Sequence, residues 1–260
     1  MIAEQIPEGM LGPLLQGRVA MVTGAAAEQG IGCAIATLFA AHGAAVAVVD
    51  IDADRAADIA RRLGTAHAGY GGDITRAADC ERLASQVRDE LGPPQVLVNN
   101  AGIAARRAFL DIDPAEFERM LQVNVQGSFL MTRAVLPLML EQGRGNLVFI
   151  SSTAGQRGGG VFGSSHYVAS KAGMTGFAQA IAREFAPRGI RSNVVTPNLI
   201  KTDSVREMTP EQRSAIEKGV PLQRSGTIWD VAGAALFLAS DLSSYVTGAT
   251  VDVNGGFHIR

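Results

Sequence analysis

Along the chain, short β-branched runs alternate with longer stretches whose apolar residues recur at helical spacing. VAMVT (19–23), AVAVVD (45–50), VLVNN (96–100), NLVFIS (146–151), SNVVT (192–196) and TVDVN (250–254) have the compact aliphatic pattern of strands. HAGYGGD (67–73) is a weaker seventh. Between them, residues 31–42, 55–63, 77–91, 115–141, 167–186 and 229–239 carry the helical repeat. Asp113-Pro114 followed by Glu116 supplies an N-cap, a first-turn proline and a first-turn acid. Alternation of this kind predicts an α/β fold: a single doubly wound Rossmann-type domain with a parallel sheet of about seven strands and helices on both faces. No internal repeat or Pro/Ser-rich linker divides the sequence, so residues 17–260 are expected to form one domain, preceded by a loose N-terminal arm at 1–16.

In such a sheet, ligands bind beyond the C-terminal strand ends, and here those ends are polar: TG (23–24), VD (49–50), GD (72–73), NNAG (99–102), SS (151–152) and TPN (196–198). The first turn reads TGAAAEQGIG (23–32). Gly24 suits a tight turn, Gly30 permits close backbone approach, and Gly32 lets the helix pack on the strand. The free N–H groups of that helix would face a pyrophosphate. The spacing is not G-x-G-x-x-G, and an ordinary glycine loop would look similar. Asp50 ends the second strand, where a carboxylate can accept hydrogen bonds from both hydroxyls of an adenosine ribose and repel a 2′-phosphate. No Lys or Arg lies between Gly24 and Gly32, Glu28 adds a negative charge, and Arg55 is flanked by Asp52, Asp54 and Asp58. The pattern favours NAD over NADP.

Composition narrows the field further. With 260 residues, 47% of them apolar and 18% charged, the chain can bury a substantial core. A net charge of −2 leaves no electrostatic footprint for nucleic acid or an anionic membrane. Cys33 and Cys80, with histidines scattered at 42, 67, 166 and 258, match neither a metal site nor a disulfide framework. The first 16 residues hold Glu4 and Glu8 but no Lys or Arg, and Pro7, Gly9, Gly12 and Pro13 interrupt them, unlike a signal peptide. No apolar run is long enough to span a membrane. The expectation is a cytoplasmic protein.

One local feature points to chemistry. The chain has only three lysines and three tyrosines, yet Lys171 follows Tyr167 by four residues, just past the glycine-rich stretch 151–166. On a helix these positions share a face; a surface i,i+4 pair would have the same spacing. A phenol with its ordinary pKa near 10 is a sluggish base at neutral pH. A neighbouring ammonium, joined by the positive charge of an oxidised nicotinamide, should lower it.

TG…GIG, Asp73 in GDIT, NNAG (99–102), VNVQG (123–127), ISS (150–152), YVASK (167–171), FLASDLSSYVTG (237–248) and VDVNGG (251–256) occur in order. Over residues 17–256 the chain resembles the short-chain dehydrogenase/reductase family. The resemblance implies that Tyr167 is the general acid/base and Lys171 its activator, also reaching the nicotinamide-ribose hydroxyls. It makes Ser152 the carbonyl-polarising hydroxyl and Asn124 the residue that bends a helix and holds a water beside the lysine. A buried polar residue tying up backbone groups explains Asn124 equally well.

For NAD, the same resemblance implies contacts from Gly24, Gly30, Ile31, Gly32 and Asp50, with Asp73 and Ile74 beside the adenine. Asp73 also reads as a strand-end cap. Asn100, Ala101 and Gly102 would line the cofactor channel, and Pro197, Ile200 and Thr202 would lie nearer the nicotinamide, Thr202 at its carboxamide. The implied reaction is reversible interconversion of a small-molecule secondary alcohol and its ketone, without a metal. A mobile lid at 200–221 and a homotetramer built through 115–141, 167–186 and the C-terminal region are implied too. The apolar stretch 130–140 suits such an interface or the core.

Four departures stand out. Five residues separate Gly24 from Gly30, an enlarged phosphate loop, and the Ser152–Tyr167 interval is also longer than usual. Pro197-Asn198 replaces the common Pro-Gly, and VNGG the frequent VDGG. Arg106, Arg107 and Arg157 would favour an anionic substrate if they faced it, or would simply be solvated. Two alternatives differ in class: a 3-oxoacyl-carrier-type reductase, expected to use NADPH and a basic docking patch, and a non-catalytic NAD-binding sensor. A sensor would have been free to lose Tyr167 or Lys171.

Overall fold

Successive residues of each central strand enter opposite cores, as a pleated strand covered on both faces requires. In β1 (Val19–Thr23) of the computed structural model, Ala20 and Val22 join one buried cluster, Val19 and Met21 the other. Residues 13–159, 163–202 and 209–259 are described. The strands β2 (Ala45–Asp50), β3 (Ala68–Gly71), β4 (Val96–Asn99), β5 (Gly145–Ile150), β6 (Ile190–Pro197) and β7 (Thr250–Val253) complete the sheet. All pairs are parallel, in the order β3-β2-β1-β4-β5-β6-β7. The first core takes α1 (Ile31–Ala41), α2 (Ala53–Leu63) and a helix close to the C-terminus; the second takes α3 (Ala77–Glu90) and helices that follow β4. This is the single α/β domain that the hydrophobic pattern implies. Strand order reverses between β1 and β4, which opens a crevice above their C-terminal ends.

The expected long helix at 115–141 is divided. It runs as α4 (Pro114–Leu121), a π-helical turn at Gln122–Gln126, and α5 (Gly127–Glu141). Asp113 caps α4 by accepting from Ala115 N. The π turn carries Asn124, and its wider ring moves that backbone out of the α-helical register. After β5 the glycine-rich stretch contains a short helix, α6 (Thr153–Arg157), before α7 (Ser165–Phe185) begins. In the expected lid, α8 (Pro210–Glu217) starts with a capping box between Thr209 and Gln212, and 203–208 lie outside the described residues. α9 (Ile228–Ala239) precedes β7.

The loose arm needs correcting at its inner end. Leu15 is fully buried in the first core, its N–H donates to His42 O at 2.9 Å, and Gly17 N donates to Gly43 O at 3.2 Å. Apolar burial and backbone pairing therefore fix this end against the C-terminus of α1. Residues 1–12 lie outside the described residues.

Three side chains satisfy the carbonyls at the end of α9. Arg191 on β6 donates to Leu238 O (2.9 Å), Ser240 O (3.0 Å), Val246 O (3.2 Å) and Ser243 Oγ (2.9 Å). Arg18 and Asn146 both donate to Ala239 O, at 2.9 and 2.7 Å. Helix-end carbonyls without partners are costly when buried. Arg191→Ala is therefore expected to destabilise the fold by about 2 kcal/mol or more in chemical denaturation. A change within about 0.5 kcal/mol would mean solvent replaces the guanidinium.

Candidate active site

At the crevice, glycine geometry brings two loops together. Gly24 has φ +65°, and a Cβ there would stand 2.7 Å from Ala101 Cα. A Cβ on Gly32 would lie 2.5 Å from both Asn100 Nδ2 and Gly24 O. Asn100 Nδ2 donates to Thr23 O and Gly24 O, both at 2.9 Å. Thr23 Oγ1 in turn accepts from Asn100 N and Ala101 N at 3.1 Å. Thr23 is thus a clamp that the sequence reading passed over. Gly30 caps α1 without any side-chain bond, and the first turn holds no acid, so its N–H groups face the cleft unchallenged by a carboxylate.

Asp50 is held at the end of β2. Its Oδ2 accepts from Ala26 N at 3.0 Å and its Oδ1 from Asp52 N at 3.3 Å. Arg55 pairs with Asp52 at 3.2 Å, and Arg62 pairs with Glu28, tying the enlarged loop to α2. The residues fit a dinucleotide: a backbone cradle that side chains would fill, an open helix N-terminus and a carboxylate at the end of β2. Asp73 caps its own turn, Oδ1 accepting from Thr75 N (2.9 Å) and Thr75 Oγ1 (2.8 Å). Chiefly the Thr75 backbone bond keeps that carboxyl below its usual pKa. Ile74 is buried beside Gly127, where a Cβ would meet Ile74 Cδ1 at 2.6 Å.

The cleft itself has a volume of about 570 Å³. Its walls include Gly24, Gly30, Ile31, Asn100 and Gly102 on one side. Ser152, Tyr167, Lys171, Pro197, Ile200 and Thr202 line the other. Gly32, Asp50, Asp73, Ile74, Ala101 and Asn124 stand outside these walls. For Gly32 and Ala101 the reason is the loop packing just described.

Lys171 on α7 is buried, and its Nζ donates to Ile150 O at 2.9 Å, at the end of β5. Burial lowers its pKa to about 8. The ammonium lies 5.9 Å from the centroid of the Tyr167 ring. Ser152 caps α6 by accepting from Ala154 N at 3.1 Å and also hydrogen-bonds the Tyr167 hydroxyl. The pKa of that phenol is raised: burial pushes it up, and the Ser152 bond offsets only part. This is opposite in direction to the expected fall. The neighbouring ammonium is committed to Ile150 O, and the Ser152 bond alone does not outweigh desolvation.

Asn124 is completely buried and turned away from the cleft. Its Oδ1 accepts from Ile103 N (2.8 Å), while Nδ2 donates to Ile103 O (3.0 Å) and Ser170 Oγ (2.9 Å). Ser170 Oγ donates to Tyr167 O at 2.7 Å, so Asn124 links the β4–α4 loop to the turn that carries Tyr167. Ser151 supports the other side, donating to Lys171 O at 2.8 Å. Two further residues had no local signal. His166 is completely buried, with no hydrogen bond to either ring nitrogen and Nε2 3.4 Å from Glu116 Oε1. Phe257, near the C-terminus, lines the cleft. Among the described residues no cluster of His, Cys, Asp and Glu is arranged to hold a metal ion.

Comparison with known proteins agrees with this architecture. A family model described as "Enoyl-(Acyl carrier protein) reductase" matches residues 24–258. An "uncharacterized short-chain type dehydrogenase/reductase" of Sinorhizobium fredii is 47% identical over 252 residues, covering 95% of this chain and 100% of its own. The 3-oxoacyl-[acyl-carrier-protein] reductase of Escherichia coli is 38% identical over 244 residues, covering 94% and 98%. That of Vibrio harveyi is 36% identical over 245 residues, covering 94% and 99%. With its parallel seven-stranded sheet, glycine-cradled crevice and relatives of matching length, the chain belongs to the short-chain dehydrogenase/reductase family and is an oxidoreductase of the kind that binds a nicotinamide cofactor.

Proposed function

We propose that this protein interconverts a secondary alcohol and its ketone with NAD. The observation that carries the reading is the convergence of Ser152, Tyr167 and the buried Lys171 on the wall of one cleft. A nicotinamide bound in the cleft supplies the acceptor or donor of hydride. Tyr167 takes the proton from the substrate hydroxyl, or returns it in the opposite direction. Ser152 donates a hydrogen bond to the same oxygen as charge changes there, its position fixed by its capping of α6. Lys171 holds positive charge behind the phenol, and Asn124 keeps the turn that presents Tyr167 in place. Panels of secondary alcohols and ketones, each with NAD(H) and NADP(H), test the reaction through nicotinamide absorbance. Absence of turnover across the panels, in a protein that binds the cofactor, would favour the sensor reading.

Asp50 supports NAD, since a 2′-phosphate would bring negative charge to a corner whose Arg55 and Arg62 already pair with acids. Asp50→Ala is expected to shift the NAD/NADP ratio of kcat/KM towards NADP by roughly 10- to 100-fold. An unchanged ratio removes Asp50 from cofactor choice. The second reading, a carrier-linked 3-oxoacyl reductase using NADPH, is favoured by the names of the Escherichia coli and Vibrio harveyi relatives. It wins if a carrier-bound 3-oxoacyl thioester with NADPH outruns every free ketone with NADH.

The reading extends to organisation. Residues 17–260 act as one catalytic domain, and 200–221 close over substrate, with Ile216 of α8 already on the cleft wall. NAD with substrate should slow proteolysis in that segment; equal cleavage rates with and without ligands would dismiss the lid. The chain assembles as a cytoplasmic homotetramer through 115–141, 167–186 and the C-terminal region; Phe129 on α5 is 41% exposed and stacks edge-on with Phe177 of α7 at 6.1 Å. Among the described residues no helix is long and apolar enough to cross a membrane.

A further inference from the structure

The cleft walls carry one charged side chain among the described residues, Lys171, and its ammonium is bonded to Ile150 O. The described walls include the apolar Ile103, Ala104, Ala154, Leu199, Ile216 and Phe257, and their other polar residues, such as Asn198 and Thr202, are uncharged. The arginines that the sequence offers for an anion do not face this space. Arg107 Nε pairs with Glu116 Oε2 at 3.3 Å with its side chain 59% exposed, and Arg106 is absent from the walls. Arg157 stacks on the ring of Phe257, its guanidinium carbon 4.2 Å from the centroid.

That stacking has a consequence for specificity. Arg157 ends α6, inside the lengthened Ser152–Tyr167 interval, and Phe257 follows β7. The guanidinium occupies one face of the ring as a cation–π partner, while Phe257 lines the cleft and Arg157 does not. The lengthened segment thus braces an aromatic wall and keeps its own charge outside. A substrate carboxylate placed here would lose hydration, and among the described wall residues the one cation, Lys171, is already bonded to Ile150 O. An apolar body would bury its surface against Phe257 and its neighbours.

Resting on the proposed alcohol–ketone chemistry, we infer that the substrate is an uncharged secondary alcohol or ketone on an apolar body, and that Phe257, braced by Arg157, is a specificity-determining residue. The anionic substrate that Arg106, Arg107 and Arg157 would have served is excluded on this account.

The test uses a methyl-substituted cyclohexanone and its carboxylate-substituted counterpart. Two readouts are taken: kcat/KM with the reduced dinucleotide, and ketone affinity for the complex with oxidised dinucleotide, where no reduction occurs. The neutral ring is expected to be favoured by roughly 100-fold in both readouts. Phe257→Ala should weaken its binding by roughly tenfold while leaving the carboxylate counterpart as weak as before. Equal or better performance by the carboxylate ketone overturns the inference, as does failure of both ketones to bind or an unchanged affinity in Phe257→Ala. Selective binding of the neutral ketone without turnover would retain the substrate class and sink the proposed reaction instead.

Discussion

Tyr167→Phe should lower turnover by roughly 1,000-fold while leaving cofactor affinity and Tm close to wild type. The substitution removes only a hydroxyl whose protein partner is Ser152. The ring keeps its place on α7, and Ser152 keeps its backbone donor Ala154 N at 3.1 Å. Nothing in the core is vacated. The loss therefore belongs to proton transfer, and it should appear in kcat and kcat/KM alike. Retention of more than about a tenth of the activity would show that another group moves the proton.

The second large effect concerns stability. Lys171 is buried and its pKa is lowered to about 8 from 10.5, so the folded protein holds this proton less tightly than the unfolded chain. Below pH 8 both states are protonated and the folded state bears the full desolvation cost, about 3 kcal/mol. Between pH 8 and 10.5 the folded lysine is neutral while the unfolded one is still charged, and the cost fades as pH rises. Lys171→Met should thus stabilise the cofactor-free protein at pH 7, by about 2 kcal/mol after the lost bond to Ile150 O is deducted. The advantage should shrink across the same alkaline window. Denaturant midpoints at pH 7 and pH 10 measure it. A destabilised Met variant at pH 7, or a gain independent of pH, would contradict a strained ammonium. Activity should fall in the same variant, an exchange of stability for chemistry.

The sheet was legible because its strands are short aliphatic runs that end in polar residues, so both core and crevice follow from one pattern. The weak run at 67–73 shortens to Ala68–Gly71, since only its centre pairs with β2. α6 escaped notice because five residues containing Gly155 are too few to show a helical period. In α8 the Thr209–Gln212 box was readable, but no continuous apolar stripe marked the helix. The division of 115–141 was visible only as an asparagine in a helical stretch; the π turn depends on Ile103 and Ser170, distant in sequence.

The site divides along the same line. Residue types and spacing pointed to Tyr167, Lys171 and the glycine loop, and the family resemblance to Ser152, all of which reach the cleft. What they touch did not follow. The bond from Lys171 to Ile150 O, the clamp made by Thr23 and the burial of His166 are products of tertiary packing. Asp73 carried two readings in the sequence, and its bonds to Thr75 match the cap. Phe257 lay in a tail with no periodic signal, and Arg157, open in the sequence to an anion-facing or a solvated position, stacks on its ring instead.

The most direct measurement follows a label through the reaction. The best alcohol from the panel, deuterated at its carbinol carbon, is incubated with oxidised NAD and the enzyme, and the recovered dinucleotide is weighed by mass spectrometry. The account requires deuterium in the reduced dinucleotide with wild type, and no more than trace transfer with Tyr167→Phe. Ketone formed without deuterium in the dinucleotide, or equal transfer by the variant, would contradict it.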